Sequence, residues 1–230
     1  MPSIYIVSAS YAPSPHQSSA IGNSSHPNAE FIALARNLSH GASLEVRSGF
    51  FAACLRFPAK APPENNWHCG DASDILAGES RNADPLGLVQ YSDRFTSKVV
   101  FYGLILGSMA LSVLAIGVLS SLPGWKTHIL EDGEAHQIRP FPAPNVTSFC
   151  LATLCFSAGF GFISVLWLHV AAVAATGTLD FMIEDIVVTQ VGSAAMALGW
   201  LAFGTEMIAL VGVFIMRVSL NLLDQITDED

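Results

Sequence analysis

The sequence predicts an all-α membrane helix bundle of three spans, carrying a small disulfide-stapled extracellular β segment. Three observations predict it. The 230 residues are 51% hydrophobic and only 13% charged, about half the charge of an ordinary soluble domain. The apolar excess is concentrated, because residues 1–97 are polar and loop-rich while the rest holds three long runs almost free of charge. Each run meets the requirement for crossing about 30 Å of hydrocarbon, roughly 20 apolar residues in a helix that satisfies its own backbone. A single soluble enzyme domain is thereby excluded. The formal net charge is −9 and no part of the chain is basic, so nothing offers the Lys/Arg surface that nucleic-acid phosphates need.

The chain divides accordingly into an extracellular segment (1–97), a span (98–122), a cytoplasmic loop (123–146), a second span (147–178), a short extracellular loop (179–187), a third span (188–217) and a cytoplasmic acidic tail (218–230). The first span begins after Lys98 and closes at Pro123-Gly124-Trp125, a helix stop followed by an interfacial aromatic. The second holds no Asp, Glu, Lys or Arg. The third apolar run extends from Ile186 to Met216, broken only by Glu206 and ended by Arg217, and its length predicts tilt or extension beyond the bilayer. Gly103 with Gly107, and Ala195 with Gly199, have the small-residue spacing of close-packed membrane helices.

Orientation is argued from the first 97 residues. Most of the Lys and Arg precede the first span, which taken alone points inward, but the positive-inside rule is weak for so long a segment. Asn23 and Asn37 head glycosylation sequons, and Cys54 and Cys69 lie in a polar segment where a disulfide requires an oxidising compartment. Outside placement then needs an export signal, and Met1–Ser10 has neither a basic region nor a long enough apolar run. The expectation is a span upstream of this sequence.

Within that segment Ser43–Ser48 alternates like a strand, and Gly49-Phe50-Phe51 leads to Cys54, with Trp67 two residues before Cys69. A Cys54–Cys69 staple would bury Phe50, Phe51 and Trp67. A reduced pair, or a metal held with His68, are the alternatives, the latter short of ligands. Asp84-Pro85, followed by Leu88, Tyr91 and Phe95 at helical spacing, predicts a capped amphipathic helix at the membrane surface; an ordinary polar linker is the alternative.

These residues, taken in order, resemble the fungal calcium-regulator and membrane-fusion family induced by mating pheromone, a distant relative of the claudin-like four-span proteins. The opening Ile4–Tyr11, the run Leu44–Arg47 followed by Gly49-Phe50-Phe51 and Cys54, and Trp67 with Cys69 look like its signature. Asp84–Leu86, Leu122–Trp125, Arg139–Pro142, Leu166–Val170 and Leu223–Asp230 resemble further segments in the right order. Ala52 stands where the family has a second glycine, and four spans are expected in the family against three here. The resemblance implies a plasma-membrane protein that supports calcium influx and membrane fusion during mating, with Gly49, Cys54, Trp67 and Cys69 as signature residues.

Calcium chemistry favours hard oxygen ligands. Asp180, Glu184 and Asp185 cluster at the short outer connection and could attract cations, although acidic residues on a solvated helix end need no such role. His169 and Glu206 are ionisable groups at membrane depth, where an unpaired charge is costly, and could pair if both face the bundle interior. Cys150 and Cys155 read as packing residues. No cofactor, metal or enzyme chemistry is expected, since His169 and Glu206 supply neither a zinc motif nor a third ligand. The expected partners are the lipid bilayer and either a second copy of the chain or a calcium channel. A claudin-like adhesion or scaffold protein, without a direct role in ion passage, is the competing function.

Overall fold

The computed structural model describes residues 3–12, 29–57, 67–70, 84–120, 126–129, 135–138, 144–183 and 186–228. The chain forms two compact units, Met1–Phe101 with Leu166–Gly199, and Tyr102–Val165 with Trp200–Asp230.

The first unit is organised by a five-stranded antiparallel sheet. In chain order its elements are β1 (Val7–Tyr11), α1 (Ala29–Leu38), β2 (Glu45–Ser48), β3 (Ala53–Arg56), β4 (His68–Gly70) and α2 (Leu88–Lys98). α3 (Tyr102–Ser120) belongs to the second unit, as does the hairpin of β5 (Lys126–Ile129) and β6 (Ala135–Ile138). α4 (Pro144–Met182), β7 (Val187–Val191) and α5 (Ser193–Asp228) complete the order.

The sheet runs β4-β3-β2-β1-β7. Strand alternation sorts its faces: Ala9, Val46 and Leu55 lie in one register row and join Tyr11, Leu44, Ile186 and Val187 in a buried core. α1 covers this core with Ala35 and Ile32, and α2 covers it with Leu88 and Val89. The buried Ser48 and Ser92 hydroxyls meet at 2.7 Å and tie β2 to α2.

α2 departs from expectation in its place and its start. Its apolar stripe of Leu88, Val89 and Phe95 is buried, and Leu88 and Val89 pack on the sheet core; the periodicity is that of an amphipathic helix, but a sheet rather than a lipid surface takes up the stripe. The helix begins at Leu88, three residues beyond Pro85, because Gly87 adopts a left-handed conformation with φ 71°. Asp84 caps it from the preceding turn, accepting the Leu88 and Val89 amides at 2.9 and 2.8 Å.

A second correction concerns the third apolar run. Its first residues, Val187–Val191, form the edge strand β7, paired with β1 from Val7↔Val191 to Tyr11↔Val187. Four of these five residues are β-branched, three valines and Thr189, the side chains that suit a pleated surface. Gly192 separates strand from helix, donating its amide to the Ile6 carbonyl at 2.8 Å.

Among the described residues three helices are long and apolar enough to cross a membrane, over Tyr102–Ser120, Asn145–Met182 and Ser193–Leu222. α4 has 39 residues and α5 has 36, about 58 and 54 Å of helix, so both outrun the hydrocarbon core. Their surfaces expose large apolar side chains, among them Phe149, Phe156 and Ile163 on α4 and Leu201, Ile208 and Ile215 on α5. Such faces suit lipid tails rather than water.

The second unit has a buried apolar cluster of its own. Ala115 of α3, Cys150 and Leu154 of α4 and Val213 of α5 form one buried layer. At Gly107 a Cβ would meet the Phe160 ring at an ordinary contact distance of 3.7 Å, and the Phe162 and Phe203 rings pack tilted, their centroids 5.3 Å apart.

Candidate functional site

Two places concentrate chemistry, one in each unit. On the sheet, Cys54 and Cys69 are directly opposed on β3 and β4, their Cα atoms 4.1 Å apart, and they form a disulfide. Neither a reduced pair nor a metal site is formed by these cysteines.

The disulfide shares its sheet face with a charged stack. Arg47 lies opposite Cys54 on β2 and Arg56 lies opposite Glu45. Glu45 accepts from Arg47 at 2.9 Å and also from Arg56. Both guanidinium groups lie over the Trp67 ring, at 4.3 and 5.1 Å from its centroid, and Arg47 also lies 4.7 Å from the Tyr5 ring. Two cations are thus held against one indole, each also bonded to one carboxylate. Trp67 is half-buried by these contacts and by its place beside the staple.

Gly49 closes the β2–β3 hairpin. Its amide donates to the Ala52 carbonyl at 3.0 Å, and a Cβ at Gly49 would lie 2.9 Å from that oxygen, so the turn needs the missing side chain. Ala52 supports this turn through its backbone alone. Phe51 at the tip is 79% exposed, which corrects the expectation that the staple buries it; a two-residue hairpin loop projects away from the core it closes.

Tyr11 anchors β1 to the start of α2. Its hydroxyl donates to Asp84 Oδ1 at 2.7 Å and accepts the Leu86 amide at 3.0 Å. Burial, reinforced by the Asp84 hydrogen bond, pushes the phenol well above its ordinary value, so it stays a donor. Trp167 of α4 donates its indole N–H to the Val99 carbonyl at 2.9 Å, capping a chain end that leaves α2.

The second place is the carboxyl group of Glu206. Three serine hydroxyls surround its Oε1: Ser112 at 2.6 Å, Ser157 at 2.9 Å and Ser108 at 3.1 Å. The hydroxyls also touch one another, Ser112 to Ser157 at 2.8 Å and Ser108 to Ser157 at 3.3 Å. Ser157 and Ser108 each reach the other's main-chain carbonyl, at 2.9 and 3.1 Å. Oε2 is buried and has no hydrogen-bond partner among the described residues. It lies where a Gly161 side chain would begin, since a Cβ there would stand 2.9 Å from Oε2.

The carboxyl of Glu206 therefore takes its hydrogen bonds from serines of α3 and α4. His169 lies in the other unit, with its side chain exposed on α4. Asp180 is exposed near the end of α4, and Glu184 and Asp185 lie outside the described residues. Cys150 is buried and Cys155 exposed. The serines were not singled out in the sequence, yet they carry a signal: Ser108 and Ser112, and Ser157 and Gly161, are each one helical turn apart, which puts each pair on one face.

These features define a multi-span membrane protein with a disulfide-stapled sheet on one unit and a buried polar cluster inside the other. The chain belongs to the family of the Ca2+ regulator and membrane fusion protein Fig1, whose family model matches residues 31–219. No curated protein and no solved structure matches it.

Proposed function

We propose that this chain acts in the plasma membrane during fungal mating, regulating calcium influx and helping the membranes of partner cells to fuse. The family match over residues 31–219 carries this reading, because it covers the stapled strands and all three apolar helices together. The disulfide supports an outer placement of the sheet, since such bonds persist in oxidising compartments. The chain acts as a regulator rather than an enzyme.

The test is calcium uptake after mating stimulation in fungal cells lacking their own copy, complemented by this chain or by its Cys54→Ser variant at matched surface levels. Restored uptake that fails in the variant supports the reading. No restoration by protein that has reached the surface overturns it.

The exposed Phe51 at the hairpin tip favours a second reading, adhesion or scaffolding through the sheet. Cross-linking in membranes separates the two. A large homo-oligomer lost on Phe51→Ser, with uptake unaltered, supports the scaffold.

A further inference from the structure

We infer that Glu206, Ser108, Ser112 and Ser157 form a binding site for a small monovalent cation of the sodium class inside the membrane-spanning unit. The inference stands on the geometry of the cluster and does not depend on the calcium reading.

The first argument is the uneven treatment of the two carboxyl oxygens. Oε1 has three hydroxyls within 3.1 Å, while Oε2 is shut off from solvent and bonded to nothing among the described residues. A buried acceptor left bare is costly. A cation touching both oxygens removes that cost, and the serines supply further oxygens of the same hard character.

The second argument is where the hydroxyl protons can go. A serine hydroxyl has one proton and two lone pairs. Without an ion the protons point at Oε1. With an ion, Ser157 and Ser108 can turn theirs to each other's main-chain carbonyls, already at 2.9 and 3.1 Å. Their lone pairs are then free to face the ion.

Charge and size choose the ion. One carboxylate among neutral oxygens is balanced by a single positive charge, whereas a divalent ion would leave net charge in a poorly solvating interior. Among the described residues no group of three or more His, Cys, Asp or Glu could hold a metal, so the extra charge a divalent ion requires is not at hand. The hydroxyl and carboxyl oxygens stand 2.6 to 3.3 Å apart, at hydrogen-bond spacing, so an ion has to part them, and a small ion parts them less than potassium. Gly161 keeps the space, for a methyl group there would crowd Oε2 at 2.9 Å and Ser108 Oγ at 3.3 Å.

The test is thermal unfolding of the purified chain in lipid nanodiscs in sodium, potassium, calcium or N-methylglucamine chloride at equal ionic strength. Sodium should raise Tm saturably over N-methylglucamine, because a ligand that binds only the folded state stabilises it, and potassium should do so less. Ser112→Ala should move half-saturation to roughly tenfold higher sodium, and Glu206→Gln should abolish the rise. If Glu206→Gln does not fold, the Ser112→Ala shift decides. Equal Tm in sodium and N-methylglucamine, a sodium response unchanged in Ser112→Ala, or half-saturation by calcium below that by sodium would each overturn the inference. Because purified protein is measured, this failure is separate from any failure of the uptake experiment.

Discussion

The Tyr11 hydroxyl reaches Asp84 Oδ1 at 2.7 Å across 73 residues of chain, while the same carboxylate caps α2. One acid therefore fixes both a strand and a helix start. Tyr11→Phe leaves the Leu86 amide without its acceptor and should lower stability by about 1–3 kcal/mol. The loss should also depend on pH. Below the ordinary tyrosine value of 10.0 both states keep the phenolic proton, so this group adds no slope. Above it the unfolded chain loses the proton and the folded chain keeps it, and stability falls as pH rises. Equilibrium unfolding at rising alkaline pH should show a shallower fall in Tyr11→Phe than in the parent.

The staple closes a separation of 15 residues, worth about 3 kcal/mol in the chain-entropy account. Cys54→Ser, Cys69→Ser and the double variant should lose similar stability, because either change opens the same loop. Denaturant midpoints with and without reductant check this, and the variants should be insensitive to reductant.

Gly159 and Gly161 make an internal control. A Cβ at Gly159 meets nothing within 4 Å, whereas one at Gly161 meets Glu206 and Ser108. Gly159→Ala should be neutral or stabilising by up to about 1 kcal/mol, and Gly161→Ala should lower Tm. Adding Glu206→Ala to Gly161→Ala should recover part of that loss, since the crowded oxygen is gone.

At Gly192 a side chain would run into the Tyr5 carbonyl. Gly192→Ala should strip β7 from β1, and Gly177→Ala, where nothing lies within 4 Å, should not. Amide hydrogen exchange at Val7–Tyr11 reads the difference directly.

The membrane helices were legible because their signal is long, uniform and independent of tertiary context. β7 was not, since Val187–Val191 is as apolar as the helix after it and no charge separates them; only Gly192 and the β-branched run distinguish them. The amphipathic stripe of α2 announced a helix, but Leu88 and Phe95 do not say whether lipid or a sheet will cover them. The Cys54–Cys69 pairing was legible because the polar first segment holds just these two cysteines. The Glu206 cluster needed three helices brought together, and single serines are too common in membrane helices to mark it.

The pairing of β7 with β1 also acts as a check on membrane insertion. Hydrogen-bonded strands must stand on the same side of a bilayer, so the chain between Tyr11 and Val187 has to cross an even number of times. α3 and α4 are each long and apolar enough for one crossing, which makes two. If either failed to insert, β7 would emerge in the wrong compartment and the edge of β1 would stay bare. The sheet thus ties the count of crossings to the folding of the first unit, and a miscounted chain is left with an unpaired strand edge.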